Sequence, residues 1–313
     1  MLLFGNGDMS GKKDGWFRLA LSWRGSVVPE VLPRSLLCGA FGVVVYLLHL
    51  AKIGVSLPFL SSLIPNIVLG LLLVFRTNTA YDRFWEGRKA WGQLINTVRN
   101  LSRQILVAIA EQEPSDRDQK ICALKLLPAF AIALKLHLRS EPIDRELEAV
   151  LSPAQFDRLK TMNHPPLEIA FWISRYLQNQ YKQGKLDRYQ LGDMSQLLHN
   201  MVDVAGICER ILKTPIPLAY AIHLKQLLLI YCLSLPFQMV DQLEWMTGPI
   251  VALMSFTLLG IEEIGIQIED PFGRDTNDLP LDNICKTMQR NIADLIAVST
   301  DPNTSDTVSS ACN

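Results

Sequence analysis

The stretch of residues 56–100 constrains the fold of this chain most strongly. No charged residue occurs in residues 53–75, whereas charged side chains are dense in the turns that begin at Arg76. An uncharged run of this length can cross about 30 Å of hydrocarbon as a helix. One continuous helix is therefore predicted to leave a bilayer and to continue into water. Pro65 and Asn66 are unfavourable in lipid, which indicates that this helix faces an aqueous path.

The composition is more apolar and less charged than that of a typical soluble protein. Of the 313 residues, 49% are hydrophobic and 19% are charged, which is below the roughly 25% charge of globular domains. The net charge of −1 leaves no basic field for nucleic acid. The six cysteines are scattered without a CxxC pair, which favours free thiols in a reducing compartment. No signal peptide is predicted.

Four segments are candidate membrane spans, namely residues 35–51, 57–75, 226–240 and 245–261. The third uncharged run is short, so its helix is expected to begin near Ile216 and to carry His223 and Lys225 at its entrance.

Two further segments are interpreted as lying outside the bilayer. Residues 121–138 are apolar, but Lys125 and Lys135 interrupt them, which favours a buried cytosolic helix over a span. A polar break is expected at residues 114–118. No strand-like alternation is present, so the fold class is an all-α integral membrane protein with four transmembrane helices per subunit.

Basic residues decide the orientation. Lysine and arginine are concentrated before the first span and after the second, so the positive-inside rule places both termini and residues 76–212 in the cytosol. The predicted domains follow from this topology. They are a cytosolic N-terminal segment (1–34), a first transmembrane hairpin (35–80), a helical cytosolic region (81–212), a second transmembrane hairpin (213–264) and a cytosolic C-terminal segment with a disordered tail (265–313).

Motifs for catalysis or cofactor binding are missing from the sequence. The five histidines show no metal-ligand spacing among themselves or with cysteine, and no GxGxxG, Walker or GxSxG motif occurs. The Glu209–Arg210 pair and the charges at 82–89 are interpreted as packing ion pairs. We therefore predict that the chain is not an enzyme and that it holds no cofactor and no metal.

An acidic cluster follows the fourth span. Such a run could bind a divalent cation but is more often a solvated surface. Its members are Glu262, Glu263, Glu269, Asp270, Asp275 and Asp278.

Two apolar stripes of period four run along the second span. A stripe at i, i+4 and i+8 lies on one helix face, and several copies of such a helix around an axis would form a dry constriction. Periodicity alone favours a lipid-facing or core-facing stripe over a pore, and it does not choose between the two stripes. They are Ile67, Leu71 and Phe75, and the rival set Ile64, Val68 and Leu72.

Three sequence blocks resemble those of bacterial and plastid bestrophin homologues. They are FRTNTAYDRFWEGRKAWG at 75–92, GICERILKTPIPLAYAIHLK at 206–225 and IEDPFGRDTNDLPLD at 268–282. The blocks stand in the order and spacing of that family, and the resemblance covers roughly residues 15–295.

The resemblance implies a homopentameric ion channel with one pore on the five-fold axis. In the family the second span lines a neck of three apolar rings. The bacterial pattern assigns the neck to Ile67, Leu71 and Phe75, whereas the animal pattern begins it at an Ile-Pro pair and so favours Ile64. A second cytosolic restriction falls on Tyr189.

Most of the family conducts anions such as chloride, and some bacterial relatives pass monovalent cations, so both selectivities stay open. The implied partners are further copies of this chain, permeant inorganic ions and the lipid bilayer. The implied location is the cell inner membrane or, in a photosynthetic cell, the thylakoid membrane. A secondary transporter and a membrane-anchored scaffold are the alternatives outside the channels.

One block departs from the family's calcium-activated animal members, which carry a continuous acidic run after the Pro-Phe-Gly turn. Here Gly273 is followed by Arg274, and only Asp275 and Asp278 remain acidic in the next five positions. Calcium prefers six to eight oxygen ligands. We therefore expect no calcium clasp and no calcium dependence.

Overall fold

The computed structural model describes residues 16–17, 21–23, 25–57 and 63–300, and the described backbone is helical with no strand in these ranges. A 3₁₀ turn at Glu244–Met246 connects the helix that ends at Leu243 to the helix that begins at Thr247. The helices, numbered in chain order, are α1 (Val28–Leu50), α2 (Leu63–Ala108), α3 (Pro114–Leu138), α4 (Arg145–Glu148), α5 (Pro153–Lys160), α6 (Pro165–Lys182), α7 (Arg188–Lys213), α8 (Leu218–Leu243), α9 (Thr247–Glu269) and α10 (Leu281–Thr300).

Some predictions concern residues outside the described ranges. They are the predicted disorder of the tail at 301–313, most of the N-terminal segment and residues 58–62 of the predicted second span.

The predicted continuous helix is present as α2, which has 46 residues and a length of about 69 Å at 1.5 Å per residue. Pro65 lies in its first turn, where a proline removes no intrahelical hydrogen bond. The apolar part of α2 therefore passes into its charged part without a break in the backbone.

The chain divides into two compact units, and α2 contributes to both. The hairpin unit contains the described chain up to Trp85 together with Thr214–Asp278, and the insert unit contains Glu86–Lys213 with the described chain from Leu279 onward. The predicted membrane boundaries at residues 80, 212 and 264 concern the bilayer and stay predictions.

In the hairpin unit, α1 packs along α9, and α8 packs against both. Small residues allow α1 and α9 to approach closely. A Cβ atom added at Gly39 would lie 2.7 Å from the Cβ of Ala252, and one added at Gly42 would lie 3.1 Å from the Cα of Gly248. Glycine at such crossings is typical of helix pairs in membranes. Val28–Leu50 and the run Leu218–Glu269 are long and apolar enough to cross a bilayer.

In the insert unit, α3 is the central helix and contacts α6, α7 and α10. It too is long and apolar enough to span a membrane, but Phe130, Ile132 and Leu134 are completely buried by protein. Buried Lys135 donates to Glu146 Oε2 at 2.5 Å and to Asp282 Oδ1 at 2.9 Å. Cys122 and Lys125 near the start of the segment are exposed, but most of residues 121–138 are enclosed by protein, so the predicted burial is confirmed for most of this segment.

The polar break predicted at residues 114–118 is wrong, because these residues form the first turn of α3. Pro114 occupies the start of the helix, and Asp116 Oδ2 accepts the backbone N–H groups of Gln112 and Glu113 at 2.9 Å each. Proline and acidic residues favour a helix start. The break lies instead at residues 109–113, between α2 and α3.

Candidate pore-lining face of helix α2

One side of the apolar half of α2 is packed within the hairpin unit. Leu69 and Leu73 are buried against Leu224 and Leu228 of α8. The four leucines form a dry seam that holds the two helices together. Because residues three and four apart share a helix face, this seam determines which side of α2 points away from α8.

The three predicted neck residues lie on the side of α2 without a packing partner in the described chain. Ile67, Leu71 and Phe75 are 52%, 51% and 60% exposed. Val68 and Val74 are about as exposed as these three. A single copy of the chain thus carries a row of large apolar side chains that its described residues leave at least half exposed.

The rival stripe is divided between the two sides of α2. Val68 is exposed, whereas Leu72 is half-buried against the leucine seam. The Tyr220 hydroxyl donates to the carbonyl oxygen of Leu72 at 2.9 Å, which fixes this turn of α2 against α8. The side chain of Ile64 lies outside the described part of the structure.

Arg76, the first charged residue after the apolar run, anchors α2 in the hairpin unit. Its side chain is 4% exposed, and its Nη2 lies 3.1 Å from Glu269 Oε2. Its Nε and Nη1 have no hydrogen-bond partner among the described residues. Glu269 Oε1 accepts the backbone N–H of Ile216 at 3.1 Å. The end of α9 and the segment before α8 are therefore linked to α2 at the end of its apolar face.

Arg83, about two turns later, extends the same anchor. Its Nε donates to the carbonyl oxygen of Glu269 at 3.0 Å, and its Nη1 donates to the carbonyl oxygen of Thr214. Within the insert unit, Arg210 Nη2 donates to Glu86 Oε1 at 2.5 Å. These contacts agree with the interpretation of the charges at 82–89 and of Arg210 as packing contacts.

Much of the predicted acidic cluster is engaged in contacts within the hairpin unit. Arg34 Nη1 lies 2.9 Å from Glu263 Oε2, and Glu269 is the partner of Arg76. Asp270 Oδ1 accepts the N–H of Phe272 at 3.2 Å, and Asp278 Oδ2 accepts the N–H of Asp275 at 2.7 Å. The carboxylates of this turn thus bind the chain's own amides. The expectation of no calcium dependence stays a prediction.

Tyr189, the predicted second restriction, is the second residue of α7 and is 86% exposed. Its N–H donates to Asp187 Oδ1 at 2.7 Å, which belongs to the helix start. The ring has room to face another molecule, and its role as a restriction stays a prediction.

The five cysteines in the described ranges are free, as predicted for scattered thiols. Burial raises the pKa of the Cys208 thiol to about 12 and that of the Cys285 thiol to about 12. Both therefore stay protonated near neutral pH. Cys312 lies outside the described residues.

The sequence argument missed one constellation in the insert unit. His137 of α3, His164 before α6 and Glu209 of α7 meet, with His137 Nε2 at 3.2 Å and His164 Nε2 at 2.6 Å from Glu209 Oε1. Burial and the neighbouring His164 lower the pKa of His137. Burial of Glu209 acts to raise its pKa, but hydrogen bonds from His164 and Lys213 outweigh this and lower it. No local spacing signals the group, because its members stand far apart in sequence.

Comparison with known proteins identifies the family. The family model of the Bacterial/Fungal Bestrophin protein matches residues 8–294. A voltage-dependent anion channel-forming protein of Nostoc sp. is 60% identical over 291 residues, which are 93% of this chain and 95% of that protein. A protein with the same description from Synechocystis sp. is 57% identical over 281 residues, 90% of this chain and 92% of that protein.

A solved structure agrees with this assignment. A bacterial bestrophin homologue from Klebsiella pneumoniae superimposes with a TM-score of 0.78 at 28% identity, covering 87% of this chain and 99% of that chain. The resemblance that the three sequence blocks indicated is thereby confirmed. This chain belongs to the bacterial and fungal bestrophin family.

Proposed function

We propose that this chain is the subunit of a pentameric membrane channel that passes monovalent anions, chloride among them. The neck of the channel is formed by Ile67, Leu71 and Phe75 of five α2 helices. Two relatives that are 60% and 57% identical bear the name of anion channel-forming proteins. Membership of this family points to a channel rather than to an enzyme.

The observation that carries the proposal is the uncovered apolar face of α2. One side of the helix is sealed by the leucine seam, and the other presents three large apolar side chains, each at least half exposed. Large exposed apolar patches mark interaction or membrane sites. In a ring of copies, the row faces the axis and narrows it.

The register Ile67, Leu71 and Phe75 is preferred to the rival one for a packing reason. Leu72 is partly buried against α8, and Arg76, the next position of that stripe, is buried beside Glu269. A side chain that packs within its own subunit is not free to form a ring. The proposed neck uses three side chains that are all free in the subunit.

The neck acts as a hydrophobic barrier. Apolar constrictions gate by dewetting, and a hydrated ion crosses them poorly unless the ring widens or the ion sheds water. Residues 53–75 contain no acidic side chain, so the proposed neck has no ring of carboxylates that would select cations. Apolar rings do not themselves choose the sign of the ion, so the preference for anions rests on the relatives and on this lack of acids.

The proposal also includes the membrane topology of the subunit. Spans formed by α1, the first part of α2, α8 and α9 cross the bilayer, and the insert unit lies in the cytosol with both termini. Tyr189 forms the second restriction from its exposed position on α7.

Reversal potentials test the selectivity. The purified protein is reconstituted in planar bilayers with a potassium chloride gradient. The zero-current voltage is expected to move toward the chloride equilibrium potential. A move toward the potassium equilibrium potential would instead establish the monovalent-cation channel of the same fold.

Flux measurements separate a channel from a secondary transporter. Passive chloride efflux from liposomes is expected to rise with the chloride concentration and not to saturate. Chloride on the opposite side of the membrane is not expected to stimulate it. Saturable flux that exchange accelerates would favour a transporter, and absence of flux from a normally assembled protein would favour a scaffold. Pro65 lies in the first turn of α2, and the described helix continues unbroken after it, which gives no support to the broken helix that a transporter site usually needs.

A further inference from the structure

Three helices of the insert unit bring two imidazoles and one carboxylate together. His137 lies at the end of α3, His164 caps α6, and Glu209 lies on α7. Their ligating atoms all lie within 4.8 Å of one another, and the two histidine rings have their centroids 4.6 Å apart. We propose that these three side chains form a binding site for a divalent transition metal ion of the zinc type.

The donor set fits zinc. Zinc binds imidazole nitrogen and carboxylate oxygen at about 2.0–2.2 Å, and three protein ligands leave a fourth position for water. Tetrahedral bonds of that length separate two donor atoms by roughly 3.4 Å. The His137 Nε2 to Glu209 Oε1 distance of 3.2 Å already matches, and the 2.6 Å contact of His164 needs to open by less than 1 Å.

The shorter contact is a hydrogen bond whose proton the metal replaces. The Leu167 N–H donates to His164 Nδ1 at 3.2 Å, so Nδ1 carries a lone pair and the proton of the neutral ring stands on Nε2. When the metal binds Nε2, the proton leaves that atom and Nδ1 takes one up, so the ring stays neutral. The Nδ1–H group and the Leu167 N–H are then both donors and must move apart, a cost that the three metal–ligand bonds have to offset.

The surroundings permit an ion to enter. All three side chains are partly exposed, which leaves room for a water ligand. Lys213 Nζ lies 3.3 Å from Glu209 Oε2, and the Lys213 side chain is 71% exposed. A flexible, exposed lysine can turn into solvent when the metal supplies the positive charge. The Glu209 carboxylate then has one oxygen on the metal and one free for Lys213 or water.

The consequence of binding is a cross-link of α3, α6 and α7. The three ligand residues are distant in sequence, and a ligand that binds only the folded protein stabilises it by an amount that grows with the logarithm of the ligand concentration above Kd. The site is therefore expected to stiffen the insert unit.

Metal titration of the full, tag-free chain in detergent tests the proposal. After chelator treatment and removal of the chelator, Zn²⁺ is titrated by calorimetry, and Co²⁺ serves as a spectroscopic probe of ligand geometry. One Zn²⁺ per chain and a tetrahedral Co²⁺ spectrum are expected.

Variants connect the binding to these side chains. His164→Asn retains a capping acceptor for the Leu167 N–H but lacks the imidazole, and His137→Ala removes the second nitrogen ligand. Each is expected to weaken Zn²⁺ binding by at least about tenfold, since loss of even an outer partner of a metal ligand costs 10–100-fold. His199→Ala removes an exposed histidine of α7 and is expected to leave binding unchanged. Absence of saturable binding, or unchanged affinity in both ligand variants, would overturn the proposal.

Discussion

At the scale of single residues, two buried charges of this chain are held by partners far away in sequence. Arg76 is enclosed beside Glu269, and Lys185 is enclosed beside Asp116. A buried charge that loses its partner is costly, because neither water nor protein then compensates it. These pairs therefore hold elements in place, and their removal is expected to be felt well beyond the mutated side chain.

Glu269→Ala is expected to destabilise the protein by about 3–5 kcal/mol, because it leaves the guanidinium of Arg76 buried and unpaired. It also removes the acceptor of the Ile216 N–H. Glu86→Ala is the matched control, since the Glu86–Arg210 pair is largely exposed and is worth about 0–1 kcal/mol. Thermal unfolding in detergent measures both changes. Equal losses in the two variants would show that Arg76 does not depend on Glu269.

The Asp116 carboxylate gives a pH-dependent contribution to stability. The Lys185 ammonium, 2.6 Å from Oδ1, and the amides of Glu113 and Gln112 lower the pKa of Asp116 from 3.8 to about 2. The folded state thus binds the proton less tightly than the unfolded state does. The contribution is complete above the unfolded pKa and is lost as the pH falls through the folded pKa.

Asp116→Asn is expected to be less stable than the wild type above pH 4, because the amide carries no charge for Lys185. The difference in unfolding midpoint is expected to shrink as the pH falls from about 4 to about 2. Unfolding curves of both proteins between pH 5 and pH 2 measure it. A difference that is constant over this range would contradict the assignment.

At the scale of elements, one side of α2 packs against α8 and the other side is exposed. Leu69 and Leu73 bind the helix to α8, while Ile67, Leu71 and Phe75 stay free. The anchor at Arg76 and Arg83 holds the helix just after the free face. A helix fixed on one side can present a stable row of side chains on the other.

Replacement of Ile67, Leu71 and Phe75 together by alanine is expected to widen and wet the neck. Single-channel conductance should then rise several-fold, because the hydrophobic barrier is removed. The same replacement of Ile64, Val68 and Leu72 is the matched control and should change conductance less. A larger increase in the control than in the first variant would assign the neck to the rival register.

The close crossing of α1 and α9 gives a second test at this scale. In Gly39→Ala, the new methyl group would lie 2.7 Å from the Cβ of Ala252, which cannot rotate away. The helices must separate, at a cost of about 1–3 kcal/mol. Gly260→Ala makes the same change on α9 in open space and should be neutral or slightly stabilising. The two unfolding midpoints in detergent distinguish the cases, and a similar midpoint for both would refute the packing argument.

At the scale of the whole molecule, a single chain forms only part of the surface of the proposed pore. The free face of α2 becomes a neck only when several copies surround an axis, as in closed rings of identical subunits. The proposed pore is thus a property of the proposed assembly, in which each subunit supplies one wall.

The mass of the complex tests this proposal directly. One chain has a mass of 35.2 kDa, so five copies amount to five times that value, 176 kDa. Native mass spectrometry after detergent removal is expected to show the five-chain species. A purified protein that stays a single chain at micromolar concentration would remove the basis of the central pore.

Much of the helical architecture was determined by the sequence. Uncharged runs and charge clusters predicted the long helix α2, because its apolar and charged halves follow each other without a breaking residue. The buried α3 was predicted from the lysines that interrupt it, whereas its start was misplaced. The polar residues after Pro114 suit a loop and a capped helix start equally, and only the Asp116 contacts decide between them.

The sequence by itself indicated the family, through the resemblance of three sequence blocks. It also determined most of the helices and two candidate stripes, because these depend on local order and composition. Only the tertiary structure decided that Leu72 packs against α8 while Leu71 stays free, since periodicity is the same for both. It alone brought His137 and His164 to Glu209, because such a meeting depends on how three separate helices pack and not on any spacing along the chain.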